Sequence, residues 1–188
     1  MDVVNVMKSS VISGICIGIA GIGFLATRDI IGSVLFAFAL LSVVAYKLYL
    51  YTGTAGFIKK GELPLLLLVF AGNIAGCLLM SLLARLSPMP LQESAQNILE
   101  GRLAMGPLHG GLLSIACGFI MTTAVTFARK GNNFPLLFGV PLFITCGYPH
   151  CMADAFFYLC VPLDFWMANL GSIFGFYVSI VLGNFIGC

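Results

Sequence analysis

The chain has 188 residues, 60% hydrophobic and only 9% charged, with a net charge of +2. So few charges cannot cover a water-facing surface, where about a quarter of residues are charged, and a mean hydropathy of +1.07 makes a lipid bilayer the expected solvent. The small net charge and the lack of a basic run exclude nucleic-acid binding, and no HExxH, P-loop, nucleophile elbow or paired intramembrane carboxylates suggest an enzyme.

Polar punctuation divides the chain into apolar segments. Met1 to Ser10 reads as a short polar lead without a cleavable signal. The first segment runs from Val11 to Thr27, the second from Ile30 to Ile58 and the third from Leu63 to Leu86. A polar connection over 87–107 follows. The fourth segment runs from Leu108 to Ala128, the fifth from Phe134 to Val161 and the sixth from Phe165 to Cys188. A spanning helix needs about 20 apolar residues, so six crossings are predicted. Lys8, Lys59, Lys60, Arg129 and Lys130 lie on the side of the N-terminus, against Arg28, Arg85 and Arg102 on the other, which predicts a cytoplasmic N-terminus.

Two segments are interrupted. The second contains Thr52-Gly53-Thr54-Ala55-Gly56 and the fifth Gly147-Tyr148-Pro149-His150. Non-helical backbone at membrane depth is tolerated only where it is buried or lines a cavity. The third segment carries Gly72-Asn73-Ile74-Ala75-Gly76 and the sixth Gly183-Asn184-Phe185-Ile186-Gly187. Taken singly, such glycines allow close helix packing. Taken as a matched pattern, they predict two inverted three-helix repeats, about 1–86 and 108–188, within one transmembrane channel domain. The broken helices then mark a substrate site near the midplane.

Lys47, His150 and Asp154 are the ionisable groups well inside apolar segments, where charge is costly and usually faces a pore or a partner. Pro149 suits the first turn of a half-helix whose N-terminus favours an anion. His150 brings the side-chain type that changes charge near neutral pH. Thr52 can cap the other half-helix, and the repeat predicts Thr52 and His150 at equivalent, facing positions. Asp154, four residues after His150, can accept the imidazole proton or pair with Lys47. Lys47 can instead snorkel to the interface or line a vestibule. Phe36, Leu40, Leu50, Tyr51 and Phe143 are candidates for an apolar constriction, although such residues in a membrane helix commonly just pack. The seven cysteines show no CxxC or metal-ligand spacing, so neither metal nor cofactor is expected.

These residues resemble the formate/nitrite transporter family along nearly the whole chain. Ser13-Gly14-Ile15-Cys16-Ile17-Gly18 looks like its first-helix pattern, and Leu50-Tyr51-Thr52-Gly53-Thr54 is similar to its Leu-Phe-Thr loop motif. The two GNxxG segments match its paired motifs, and Gly147 to Asp154 looks like its Gly-Phe-Glu-His-x-x-Ala-Asn signature. This sequence departs from that pattern with Pro149 for Glu, Asp154 for Asn and Tyr49 for an acidic residue, and the sixth helix looks short. The resemblance implies an all-α, aquaporin-like homopentamer in a bacterial inner membrane that passes formate, nitrite, hydrosulfide or similar anions. It puts His150 at the central histidine, Thr52 at the threonine facing it, and Arg102 nearest to a vestibule cation. The competing readings are an aquaporin-like channel for small neutral solutes and a non-conducting structural membrane protein.

Overall fold

The computed structural model describes residues 2–188, and these are all-helical: α1 Val3–Thr27, α2 Ile30–Ala45, α3 Tyr51–Ala55, α4 Leu63–Ala84, α5 Leu91–Met105, α6 Pro107–Arg129, α7 Phe134–Thr145, α8 Cys151–Cys160, α9 Leu163–Ala168 and α10 Leu170–Gly187. By length and composition, α1, α4, α6 and α10 can each cross a membrane, and α2, α7 and α8 are shorter apolar helices. Their outward faces carry large apolar side chains such as Phe38, Leu79, Phe119 and Phe174, as lipid-facing surfaces do.

Two expectations need correction. The lead Met1 to Ser10 is not a polar preface, because the described residues are helical from Val3. The side chain of Asp2 caps that first turn, accepting the Val4 N–H at 3.0 Å. The polar connection over 87–107 contains α5. Its apolar stripe Leu91, Ala95 and Leu99 repeats at helical spacing and is buried, while Glu93 and Arg102 suit its ends.

Helix ends are gathered by basic side chains. At one end of the molecule, called upper here, Arg28 at the end of α1 bonds the Ser94 carbonyl of α5. Arg85 at the end of α4 donates to the carbonyls of Leu159 and Val161 at 3.1 and 2.9 Å, which closes the end of α8. At the opposite, lower end, Arg129 of α6 donates to the Gly53 carbonyl at 3.2 Å and lies 3.6 Å over the Phe57 ring.

α1 packs on α4, and α10 packs on α6. Glycine lets the backbones meet: a Cβ at Gly14 would collide with the Asn73 carbonyl, and one at Gly118 with the Asn184 carbonyl. The close approach places Asn73 and Asn184 against their partner helices, fully buried, with their side chains aimed at the two breaks.

Candidate functional site

The two breaks share one backbone design. α2 ends with Leu48 N–H on the Val43 carbonyl at 2.8 Å and Lys47 N–H on Val44 at 3.1 Å. α7 ends with Tyr148 N–H on Phe143 at 2.9 Å and Gly147 N–H on Ile144 at 3.0 Å. Each is a Schellman motif, which needs a left-handed residue after the helix. Lys47 supplies it at φ 54 and Gly147 at φ 70.

Beyond each turn an asparagine from a neighbouring helix takes the orphaned groups. Asn73 Oδ1 accepts the Tyr51 N–H at 2.8 Å, and its Nδ2 donates to the carbonyls of Ser10 and Tyr49, both at 2.9 Å. Asn184 Oδ1 accepts the Cys151 N–H at 2.7 Å, and its Nδ2 donates to Ser114 at 2.8 Å and Pro149 at 3.1 Å. Gly72 and Gly183, beside them, pack on Ser10 and on Gly111 and Ser114. The asparagines, expected among the helix-break and packing residues, bond the backbone at both breaks. The repeated Gly-Asn pair was the signal for them.

This geometry corrects the expected register. Leu50 and His150 are the residues that precede the two half-helices, both extended, at φ −113 and φ −118. His150 therefore corresponds to Leu50, and Thr52 to Met152. Thr52 is not a cap, since Asn73 serves the first turn of α3. Pro149 is not in the first turn of α8 either: it precedes the capping His150, and its carbonyl is the one Asn184 binds.

Thr52 and His150 nonetheless face each other across the middle, Oγ1 to Nε2 at 3.2 Å, both buried. The ring is held on three sides. Its Nδ1 accepts the Ala153 N–H at 3.3 Å, and Phe143 stacks on it at 5.3 Å between centroids and 25° between planes. A backbone N–H can only donate, so Nδ1 presents a lone pair and the neutral ring carries its proton on Nε2. That proton points at Thr52. The first-turn N–H groups of Cys151 and Ala153 are already bonded to Asn184 and His150, so α8 offers an anion its dipole and the imidazole N–H more than free backbone donors.

Asp154 does not pair with Lys47. Its Oδ1 accepts from Arg102 Nε at 2.9 Å and its Oδ2 from the His150 backbone N–H at 2.8 Å. Arg102 Nη1 also donates to the Gly147 carbonyl at 2.5 Å. Burial of Arg102 favours its neutral form, but Asp154 more than offsets this and holds its pKa above the ordinary value. One carboxylate and one guanidinium from α5, the helix missing from the sequence reading, thus fix the upper turn.

Cavities approach this centre from both ends. The upper one, about 320 Å³, is lined by Phe36, Phe143, His150, Arg102 and Asp154, and also by Phe24 and Phe157. The lower one, about 570 Å³, is lined by Leu40, Leu50, Gly53, Lys47 and Arg129. Phe36, Leu40, Leu50 and Phe143 are buried between them. Tyr51 lines neither cavity: its ring packs edge-on against Phe70 at 5.2 Å. Phe24 and Phe157, absent from the predicted constriction, cluster with Phe36 at 6.5 and 6.4 Å. Phe157 follows His150 by seven residues, two helical turns on the same face, and could have been found that way.

Known proteins share this architecture. A pentameric formate channel with formate bound is similar at a TM-score of 0.83 and 20% identity, covering 98% of this chain and 92% of that one. An FNT family ion channel is similar at a TM-score of 0.83 and 20% identity, covering 98% of this chain and 86% of that one. A search of curated proteins finds no match. Residues 1–188 match the formate/nitrite transporter in full. A transport protein built of apolar helices is an integral membrane protein, and this chain belongs to the formate/nitrite transporter family.

Proposed function

We propose that the chain forms a channel for small monovalent weak-acid anions of the formate, nitrite or hydrosulfide type. It works as a homopentamer with six crossings per protomer, two inverted three-helix halves over about 1–86 and 108–188, and the N-terminus on the cytoplasmic side of a bacterial inner membrane. The observation that carries the reading is the His150–Thr52 pair, 3.2 Å apart, between two cavities and among buried Phe36, Leu40, Leu50 and Phe143.

The mechanism follows from desolvation. A bare anion crosses an apolar constriction poorly, because nothing there replaces its hydration. The neutral acid crosses easily. An anion that displaces Thr52 meets the Nε2–H of His150 as a hydrogen-bond donor. Giving up that proton outright would leave an imidazolate. A doubly protonated ring would set an Nδ1–H against the Ala153 N–H. The favoured route therefore has the anion held by Nε2–H while a hydronium ion from the bulk delivers the proton through the cavity and leaves neutral water behind, with the Thr52 hydroxyl alongside. Asp154 and Arg102 keep the ring in place by fixing the backbone on either side of it.

The test is solute flux into proteoliposomes at two pH values, with formate, nitrite and hydrosulfide compared with urea and glycerol. Anion flux that rises as pH falls, and a His150→Asn variant that passes far less anion than the unaltered chain at both pH values, are expected. Passage of urea and glycerol alone would replace this reading with an aquaporin-like one.

A further inference from the structure

We propose that Lys47 is the anion-selecting cation of the lower cavity, held at a backbone position suited to glycine for the sake of its ammonium group; this rests on the channel reading above. Lys47 and Gly147 occupy the same place in the two Schellman turns, and only Gly147 adopts φ > 0 at no steric cost. Among the described residues one other non-glycine shares that conformation, Arg28, and its guanidinium bonds the Ser94 carbonyl and so ties α5 to α1. Lys47 has no such structural task. It is exposed, and its ammonium group makes no hydrogen bond or ion pair among the described residues. An observed strained residue is an argument for function when nothing structural explains it.

The charge around it supplies that function. The ionised residues lining the lower cavity are Lys47, Arg129 and Glu62. Glu62 accepts the Lys59 N–H at 2.8 Å, and Arg129 is bound to Gly53 and to the Phe57 ring. Lys47 is the cation left free to meet a solute. In the upper cavity Arg102 and Asp154 cancel. Net positive charge therefore lines the lower mouth alone, and low-dielectric walls such as Leu40, Val43, Leu48 and Leu65 focus its field. Small anions gather there, and cations are turned away.

The test uses the full chain with Thr54→Cys as a reporter in the lower cavity. Anionic and cationic methanethiosulfonates of equal size compete for it, and reaction of the unaltered chain is subtracted. Lys47→Asn removes the charge and tolerates the left-handed backbone, so it melts at the same or a higher temperature. It lowers the ratio of anionic to cationic labelling roughly 3- to 10-fold, and Lys47→Arg restores it. Formate flux falls with the same ranking at low ionic strength, while glycerol leak does not change. An unchanged labelling ratio in Lys47→Asn overturns the proposal. A wild-type chain that passes no anion, but whose labelling still depends on Lys47, overturns the channel reading and leaves this assignment standing.

Discussion

The lower and upper breaks are one backbone device with two sets of side chains. Both use a Schellman turn, an extended residue before the half-helix and a buried asparagine from a neighbouring helix. Position by position they then diverge: Lys47 against Gly147, Tyr49 against Pro149, Leu50 against His150, Thr54 against Asp154. The lower break carries a free cation and an apolar cap, and the upper a neutralised ion pair and an imidazole cap that donates a hydrogen bond. The backbone device therefore serves stability in both halves, while the differences carry the chemistry. Substitutions at shared positions should hurt both halves alike, and those at divergent positions only one.

The largest effect belongs to the shared asparagines. Asn184→Ala removes three buried hydrogen bonds, to Cys151, Ser114 and Pro149, and orphans the Cys151 N–H and the Pro149 carbonyl at the break. Asn73→Ala likewise removes the bonds to Tyr51, Ser10 and Tyr49 and orphans the Tyr51 N–H. Each should cost about 3–4 kcal/mol, because water cannot replace the partners at membrane depth. Melting in detergent checks this. If Asn184→Ala were severe and Asn73→Ala mild, the equivalence of the two halves would be broken.

Asp154→Ala comes next. It strands the Arg102 charge and leaves the His150 N–H unpaired, so a loss of about 3 kcal/mol is expected. Thr54→Ala, the matching change below, should stay within about 0.5 kcal/mol. Asp154→Asn keeps an acceptor for the His150 N–H and should fall between the two.

His150→Leu rebuilds the upper cap in the image of Leu50. Stability should change little, since the Asn184 bonds remain, but formate flux at about pH 5.5 should fall at least about tenfold, because no Nε2–H is left to hold the anion. Flux that stayed at the level of the unaltered chain would mean that the difference between the two caps is not where the chemistry lies.

Much of this was legible in the sequence. The apolar helices and the two non-helical stretches were set by runs and punctuation that a bilayer imposes, and the Gly-Asn pairs marked the asparagines that serve those stretches. The register of the halves was not legible. It depends on which N–H each asparagine accepts, and aligning Thr52 with His150 by their polarity gave an answer two residues out. Helix α5 was missed because its buried stripe of Leu91, Ala95 and Leu99 is thin and set among polar residues. The partner of Asp154 was missed with it, for Arg102 meets that carboxylate across 52 residues of chain. Tyr51 shows the limit of proximity: it adjoins the constriction in sequence, but its ring turns to Phe70.

The smallest predicted effect tests the side-chain contact between Thr52 and His150 at the centre. Thr52→Val keeps the shape of Thr52 and removes the oxygen that accepts the His150 Nε2–H. Because Thr52 belongs to the lower half and His150 to the upper, neither asparagine network should feel the change, and the melting temperature should drop by no more than about 1 kcal/mol of stability implies. A buried Nε2–H without a partner makes the empty site less comfortable, yet it also removes the hydroxyl that stands beside the proton route. If the hydroxyl only satisfies the ring, anion flux in Thr52→Val holds or rises. If it helps to bring the proton, flux falls about 3- to 10-fold and Thr52→Ser restores it. The proposed mechanism requires the second result, measured as formate uptake at acid pH with the serine variant alongside.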